Sequence, residues 1–246
     1  MEHEFKRLDS NQQENRYYAT SKVKFDERAP RISPDYLEKS FQFAYQMTFG
    51  KGGEHRDHRS GGSQKRPLEQ IFADAFQGKL SEFVLAQTLR KYGLKVSVPD
   101  TSVSALGEWD SYDLALEGRK ISVKSTKYYG NMLFLEAKDW DENGIYLPNE
   151  TTFDYTFLVR IKGAKDLSKL KGDKDKLHDA IFAQQWFFDV PGFITNADLS
   201  YIIREGEKYL IRKGDYFNRT RMDADNYYVQ AGSMRRLKEL PSLLRN

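Results

Sequence analysis

Three side chains in one short stretch have types and spacing that could do chemistry together. In Ser111–Thr126 (SYDLALEGRKISVKST), Glu117-Gly118 reads as a two-residue hairpin turn, because glycine tolerates the positive φ such turns need. That register pairs Leu116 with Arg119, Leu114 with Ile121, Asp113 with Ser122 and Tyr112 with Val123. Side chains alternate across a strand, so Tyr112, Leu114, Ile121 and Val123 share an apolar face, while Asp113, Ser122 and Lys124 share the other. Asp113 and Ser122 then stand roughly 5 Å apart at Cβ, with Lys124 diagonal at roughly 7–8 Å. One hairpin gathers an acid, a hydroxyl and an amine. An ordinary amphipathic hairpin with a polar exposed face shows the same pattern, so the hairpin alone leaves both readings open.

A fourth side chain comes from the helix expected over Leu80–Tyr92. Glu82 lies in its first turn and shares a stripe with Leu85, Ala86 and Leu89, at i, i+3, i+4 and i+7. That stripe should face the sheet, and a carboxylate aimed at a core needs a partner. Attraction to the helix N-terminus accounts for a glutamate in the first turn but not for its choice of face.

Composition narrows what such a set can bind. The chain has 246 residues, no cysteine and four histidines. Thiol catalysis, disulfides and cysteine-based zinc sites are excluded, so any metal would rest on carboxylates. Lys+Arg 39 against Asp+Glu 36 gives a net charge of only +3, so binding to nucleic acid would depend on local positive patches. Three segments offer them: Lys51–Arg66, Lys120–Lys127 and Ile211–Arg221. In the last, Arg and Asn side chains suit guanine and adenine edges. Each could equally be a solvated face. Aromatics at 14% supply a core, which argues against global disorder. No apolar run spans a bilayer and no signal-peptide pattern opens the chain, so the expected compartment is the cytoplasm, with no membrane partner.

The elements that must position these residues are expected as follows. Residues 1–33 read as an arm or loosely docked segment. Ser33-Pro34 starts a helix running to Phe49, closed by Gly50. Gly50–Arg66 reads as a Gly-rich basic loop, either a solvated linker or a loop that orders on a phosphate backbone. Helices follow over Pro67–Phe76 and Leu80–Tyr92, separated at Gly78. Strands are expected over Leu94–Val98, Ser111–Leu116, Arg119–Ser125, Met132–Ala137 and Phe153–Ile161, then short strands near Tyr201–Arg204 and Tyr209–Ile211. The stretch Met234–Leu244 reads as helical until Pro241. Trp186, Phe187, Phe188, Tyr227 and Tyr228 read as core. The whole reads as one α/β or α+β domain: residues 78–161 as the core, 162–246 as a C-terminal part.

The stretch from Gly78 to Trp140 resembles the PD-(D/E)xK nuclease superfamily. GKLSE matches that family's Gly-x-x-x-Glu helix start, Asp113 the acid on its second core strand, and ISVK its third strand with Lys124 as motif lysine. HRDHRSGG, LFLEAKDW and NYYV are similar to sequences in bacterial type II restriction enzymes. The resemblance implies a restriction-endonuclease-like α/β core, a central mixed β-sheet flanked by α-helices. It further implies a Mg²⁺-dependent endodeoxyribonuclease acting on specific double-stranded DNA sites. Asp113 would be a metal ligand, with the backbone carbonyl of Val123 also on the metal. Lys124 would orient or deprotonate the attacking water, or neutralise phosphate charge. One position departs from the pattern: Ser122 stands where an acid is usual. Glu82 or Glu136 could supply the missing carboxylate, Glu136 if its strand pairs in register with the motif strand; Asp110 is a weaker candidate. Glu136 could instead be exposed and paired with Lys138. Mg²⁺ suits one or two carboxylates completed by water and phosphate oxygens, with no organic cofactor. Recognition is expected in the C-terminal part and the 50–66 loop, and a homodimer by analogy with palindromic sites. The alternatives are a repair or junction-resolving nuclease of the same fold and a DNA-binding protein that has lost catalysis.

Overall fold

The computed structural model describes residues 3–50, 67–102, 112–163, 167 and 173–245. Asp110, Ser111 and the Lys51–Arg66 segment, named above as candidates, lie outside these described residues.

In chain order the elements are β1 (Asp9–Asn11), β2 (Arg16–Tyr18), α1 (Pro34–Phe49), α2 (Leu68–Lys91), β3 (Leu114–Leu116), β4 (Arg119–Lys127) and β5 (Met132–Glu136). Next come β6 (Ile145–Tyr146), β7 (Thr151–Thr152), β8 (Tyr155–Lys162), α3 (Lys174–Phe182), β9 (Phe187–Thr195) and α4 (Asn196–Glu205). The last are β10 (Leu210–Ile211), β11 (Tyr216–Phe217), β12 (Thr220–Arg221), β13 (Asn226–Gln230) and α5 (Leu240–Leu244). The chain is therefore mixed α/β. No helix among the described residues is long and apolar enough to cross a membrane.

The main sheet has the order β3-β4-β8-β9. β4 and β8 run parallel, and both outer pairs are antiparallel. Strand alternation gives this sheet two working faces. Ile121, Tyr155, Phe157, Val159 and Phe193 join Phe72, Phe76, Leu80, Val84, Leu85 and Leu89 in a core under α1 and α2. Leu158 and Ile194 point the other way, into a second core with β5, β13 and α4. A second sheet, β10-β13-β5, forms that layer. Helices, main sheet and second sheet thus stack in three layers, the arrangement by which each apolar face finds a partner.

α1 forms as its sequence predicts. Ser33 caps the helix by accepting from the Tyr36 N–H, Pro34 opens the first turn, and Gly50 closes the last. α2 differs from expectation. It runs unbroken from Leu68 to Lys91, straight through Gly78. Gly78 disfavours a helix by about 1 kcal/mol relative to alanine. Buried Phe72, Phe76, Leu80, Val84 and Leu85 on either side outweigh that, since burying one such side chain stabilises by about 1.5–3 kcal/mol.

Four further expectations are corrected. The 1–33 segment is docked: Phe5 is buried, and β2 pairs in parallel with β11. Its partner is some 200 residues away, which no local pattern reveals. Tyr201–Arg204 belongs to helix α4, whose capping box joins Thr195 and Asp198 and whose buried Leu199, Ile202 and Ile203 follow helical spacing. Leu94–Val98 makes only one isolated bridge, Val96 to Leu116. At the C-terminus Pro241 sits in the first turn of α5 instead of ending a helix.

Nothing lies within 4 Å of a Cβ built on Gly78, and its backbone is helical. Gly78→Ala is therefore expected to stabilise the protein by about 0.5–1 kcal/mol. Urea unfolding checks this; a loss of stability contradicts it.

Candidate active site at the open edge of the hairpin

The β3–β4 hairpin has the register read from its sequence: Leu114 pairs with Ile121, Ala115 with Lys120 and Leu116 with Arg119. Glu117 and Gly118 turn at φ of 50° and 83°. Leu114, Leu116 and Ile121 are fully buried, which locks the register, because a one-residue slip would turn them outward.

β3 begins only at Leu114, and the chain bends at Asp113. The Asp113 N–H still donates to the Ile121 carbonyl at 3.0 Å. Its carboxylate does not simply stand beside Ser122 and Lys124 on one face, as regular alternation predicts. Oδ2 accepts from the Val123 N–H at 2.6 Å, at the margin of β4 that β3 leaves uncovered. A backbone donor in reach draws the carboxylate to the sheet edge.

α2 delivers Glu82 to the same place. Its side chain is only 12% exposed. Burial pushes the Glu82 carboxyl up to about 8; Lys79 pulls against this, while the negative charges of Asp113 and Asp100 push it further. Lys79 is itself buried, with Nζ 2.7 Å from Glu82 Oε2 and 2.6 Å from the Asp100 carbonyl oxygen, and it lies 4.4 Å from the centre of the Phe43 ring. Sequence reasoning missed Lys79. Its signal was the i, i+3 spacing to Glu82, which puts both on one side of the helix.

Lys124 lies on the opposite face from α2. Its strand neighbour Leu158 points into the second core, and the two line a cavity of about 360 Å³ with Met132, Leu133 and Phe134. No described residue holds Lys124 by a hydrogen bond or ion pair. Ser122 is buried at 1% exposure and pairs with Thr156. Val123 is partly buried against the helix-side core, its N–H taken by Asp113.

Glu136 goes elsewhere. Its expected contribution rested on pairing of its strand with the motif strand, but β4 pairs with β3 and β8, while β5 pairs with β13. Glu136 sits opposite Asn226 with Oε1 3.5 Å from Lys138, and Oε2 is buried without a hydrogen bond. Burial raises its pKa first, then the charge of Asp139; Lys138 opposes and Asp223 adds to the rise. It is thus buried, not an exposed partner of Lys138. Glu136 lies in the second sheet, on a strand that does not pair with β4, while the charge of Asp113 acts on Glu82.

By chemical type, two carboxylates suit a hard divalent cation. Glu82 is buried and Asp113 exposed, and a cation between them would offset their like charges once Glu82 ionises. Among the described residues no group of three or more His, Asp or Glu side chains is arranged to hold a metal. A site here would be completed by the Val123 carbonyl, water or phosphate oxygens, as suits Mg²⁺. Compared with protein-family models, curated proteins and solved structures, the chain has no significant match.

The shift at Glu82 fixes a pH dependence. The folded carboxyl holds its proton up to about pH 8, against an ordinary value of 4.5. Its contribution therefore favours the fold fully below pH 4.5 and is lost as pH rises through about 8. Melting curves in EDTA are expected to show this loss, and Glu82→Gln is expected to flatten it. The same slope in both proteins contradicts the assignment.

Proposed function

We propose that the chain is a Mg²⁺-dependent endodeoxyribonuclease, most like a type II restriction enzyme built on a restriction-endonuclease-like core. The observation that carries this reading is the Asp113 carboxylate held on the uncovered edge of a strand that also bears Lys124, within range for its charge to act on the buried Glu82. Glu82 takes the role of the acid missing at Ser122. It does so from a helix packed on the face of the sheet opposite to the one Ser122 occupies.

In this reading Asp113 and Glu82 hold the cation, with the Val123 carbonyl as a third oxygen. Bound Mg²⁺ supplies a water nucleophilic at neutral pH and stabilises charge on the phosphate. Asp113 is fixed for its part by the Val123 N–H, and Glu82 by Lys79. Lys124, free of partners among the described residues, orients the attacking water or neutralises the scissile phosphate. Duplex DNA is the substrate, bound along the main-sheet edge and the second layer. A homodimer would match a palindromic site.

One observation favours a second reading, a DNA-binding protein that no longer cuts: the hydroxyl of Ser122 where a carboxylate is usual. It predicts binding that ignores metal and produces no breaks.

Plasmid digestion with Mg²⁺ or EDTA separates the two. Discrete fragments are expected only with Mg²⁺. Asp113→Ala and Lys124→Ala are each expected to slow cutting by about 10²–10⁴-fold. If neither slows it, the site is misassigned. If the wild type cuts no DNA of mixed sequence, the enzyme reading fails.

A further inference from the structure

The described structure has a second constellation that the candidate active site does not use. β1, β2, β11 and β12 form a four-stranded sheet that joins the N-terminal segment to the 216–221 hairpin. Its register aligns two cross-strand rows. Asn11 pairs with Arg16, Arg16 with Tyr216, and Tyr216 with Arg221. Ser10 pairs with Tyr17, Tyr17 with Phe217, and Phe217 with Thr220. Paired residues share a face and neighbours alternate, so the two rows lie on opposite faces.

The second row turns its two middle side chains inward, while Ser10 and Thr220 at its ends are exposed. Tyr17 and Phe217 pack on the core of the second layer, with Phe217 edge-on to Phe134 at 5.4 Å. The row Asn11–Arg16–Tyr216–Arg221 therefore faces outward, and Asn11 and Arg221 at its ends are exposed. Beside it on the same face lie Tyr18, 40% exposed, and Asp9. Arg16 braces the middle: its guanidinium lies 5.0 Å from the Tyr216 ring centre and donates to the Asn218 carbonyl at 2.6 Å and to Glu14 at 3.0 Å. Asn11 Oδ1 accepts from the Gln13 N–H at 3.2 Å in the exposed hairpin turn, which leaves its amide N–H groups without a partner among the described residues. The next residues out, Gln12, Gln13 and Arg219, are exposed as well.

We propose that this outward row is the sequence-reading surface for duplex DNA, entering the major groove with Asn11 and Arg221 on base edges. Resting on the nuclease reading above, it assigns recognition to residues of the N-terminal segment as well as the C-terminal part. The chemistry is what base edges require. Asn and Gln can bond adenine in two places and Arg can bond guanine in two places, while Asp can accept from cytosine. Three strand spacings separate Asn11 and Arg221 by roughly 14 Å, wider than the major groove at about 12 Å, so the sheet lies over the groove and its long side chains reach in to the base edges. The braced Arg16 and the packed inner row hold the reading side chains without ordering a loop on binding. The segment carries Arg16, Arg219 and Arg221 against Asp9 and Glu14, and Glu14 is already engaged by Arg16.

The test uses the full-length protein in Ca²⁺ buffer, where binding is read without cutting. A preferred site is selected from a random duplex pool, and affinities for it and for an unrelated duplex are measured. Asn11→Ala and the charge-retaining Arg221→Lys are each expected to lower the ratio of the two affinities by about 5- to 100-fold. Unchanged melting curves confirm folding, and both positions are exposed. If both variants keep the wild-type ratio while the wild type binds and cuts a discrete site, this surface does not read DNA and the nuclease reading stands. If the wild type selects no duplex and cuts none, both readings fall. Preference for RNA or a protein partner through these residues also overturns the proposal.

Discussion

A carboxylate buried beside another carboxylate is unfavourable unless positive charge reaches it, and Glu82 is in that position. Burial is the main cause of its raised proton affinity, and the charge of Asp113, itself exposed to solvent, adds to it. Much of the architecture serves to keep this arrangement in place. The unbroken course of α2 through Gly78 fixes Glu82 relative to the apolar stripe that follows it, and puts Lys79 three residues back on the same side. α1 clamps α2 from outside through Tyr36 on Phe83 and Phe41 on Phe72. The hairpin turn places Asp113 at the end of β3, where β4 has an unpaired N–H to hold it. Lys79 offsets the repulsion in part, and a divalent cation would complete the balance.

Side-chain hydrogen bonds tie the N-terminal segment to the sheets that carry the candidate site. Arg160, with 0% exposure, projects from β8 into a set of partners that satisfies its whole fork. It meets Asp189 at 2.7 and 2.5 Å, the carbonyls of Val23 and Lys24 at 2.7 and 3.0 Å, and the Gly130 carbonyl at 3.4 Å. A buried guanidinium left without these acceptors would be costly, so residues 23 and 24 are bound to the main sheet. Gln230 does similar work for residues 6, 7, 20 and 21 through its side-chain amide. The N-terminal strands therefore ride on the same framework as Asp113.

Local signals made part of this legible. The Ser33-Pro34 start and the Glu117-Gly118 turn each depend on a few adjacent residues, and both form as read. Glu82 was identifiable because a carboxylate on an apolar stripe violates the helix's own pattern. What failed depends on distance or on competing terms. The partner of the Glu136 strand is β13, some 90 residues on, and hydrophobic alternation does not say which strand pairs with which. The parallel β2–β11 contact is more remote still. Gly78 read as a break because propensity is local, whereas the burial that overrides it is tertiary. Lys79 went unnoticed because its acceptor at Asp100 comes from a segment beyond the helix.

The central claim is that Glu82 and Asp113 form one divalent-cation site. Mn²⁺ binding to the whole protein, followed by electron paramagnetic resonance or calorimetry, tests it most directly. One site is expected in the wild type. Asp113→Asn and Glu82→Gln should each abolish most of the binding, and the double variant should lose little more than either, because both remove the same site. A double variant that binds Mn²⁺ with wild-type affinity would contradict the account.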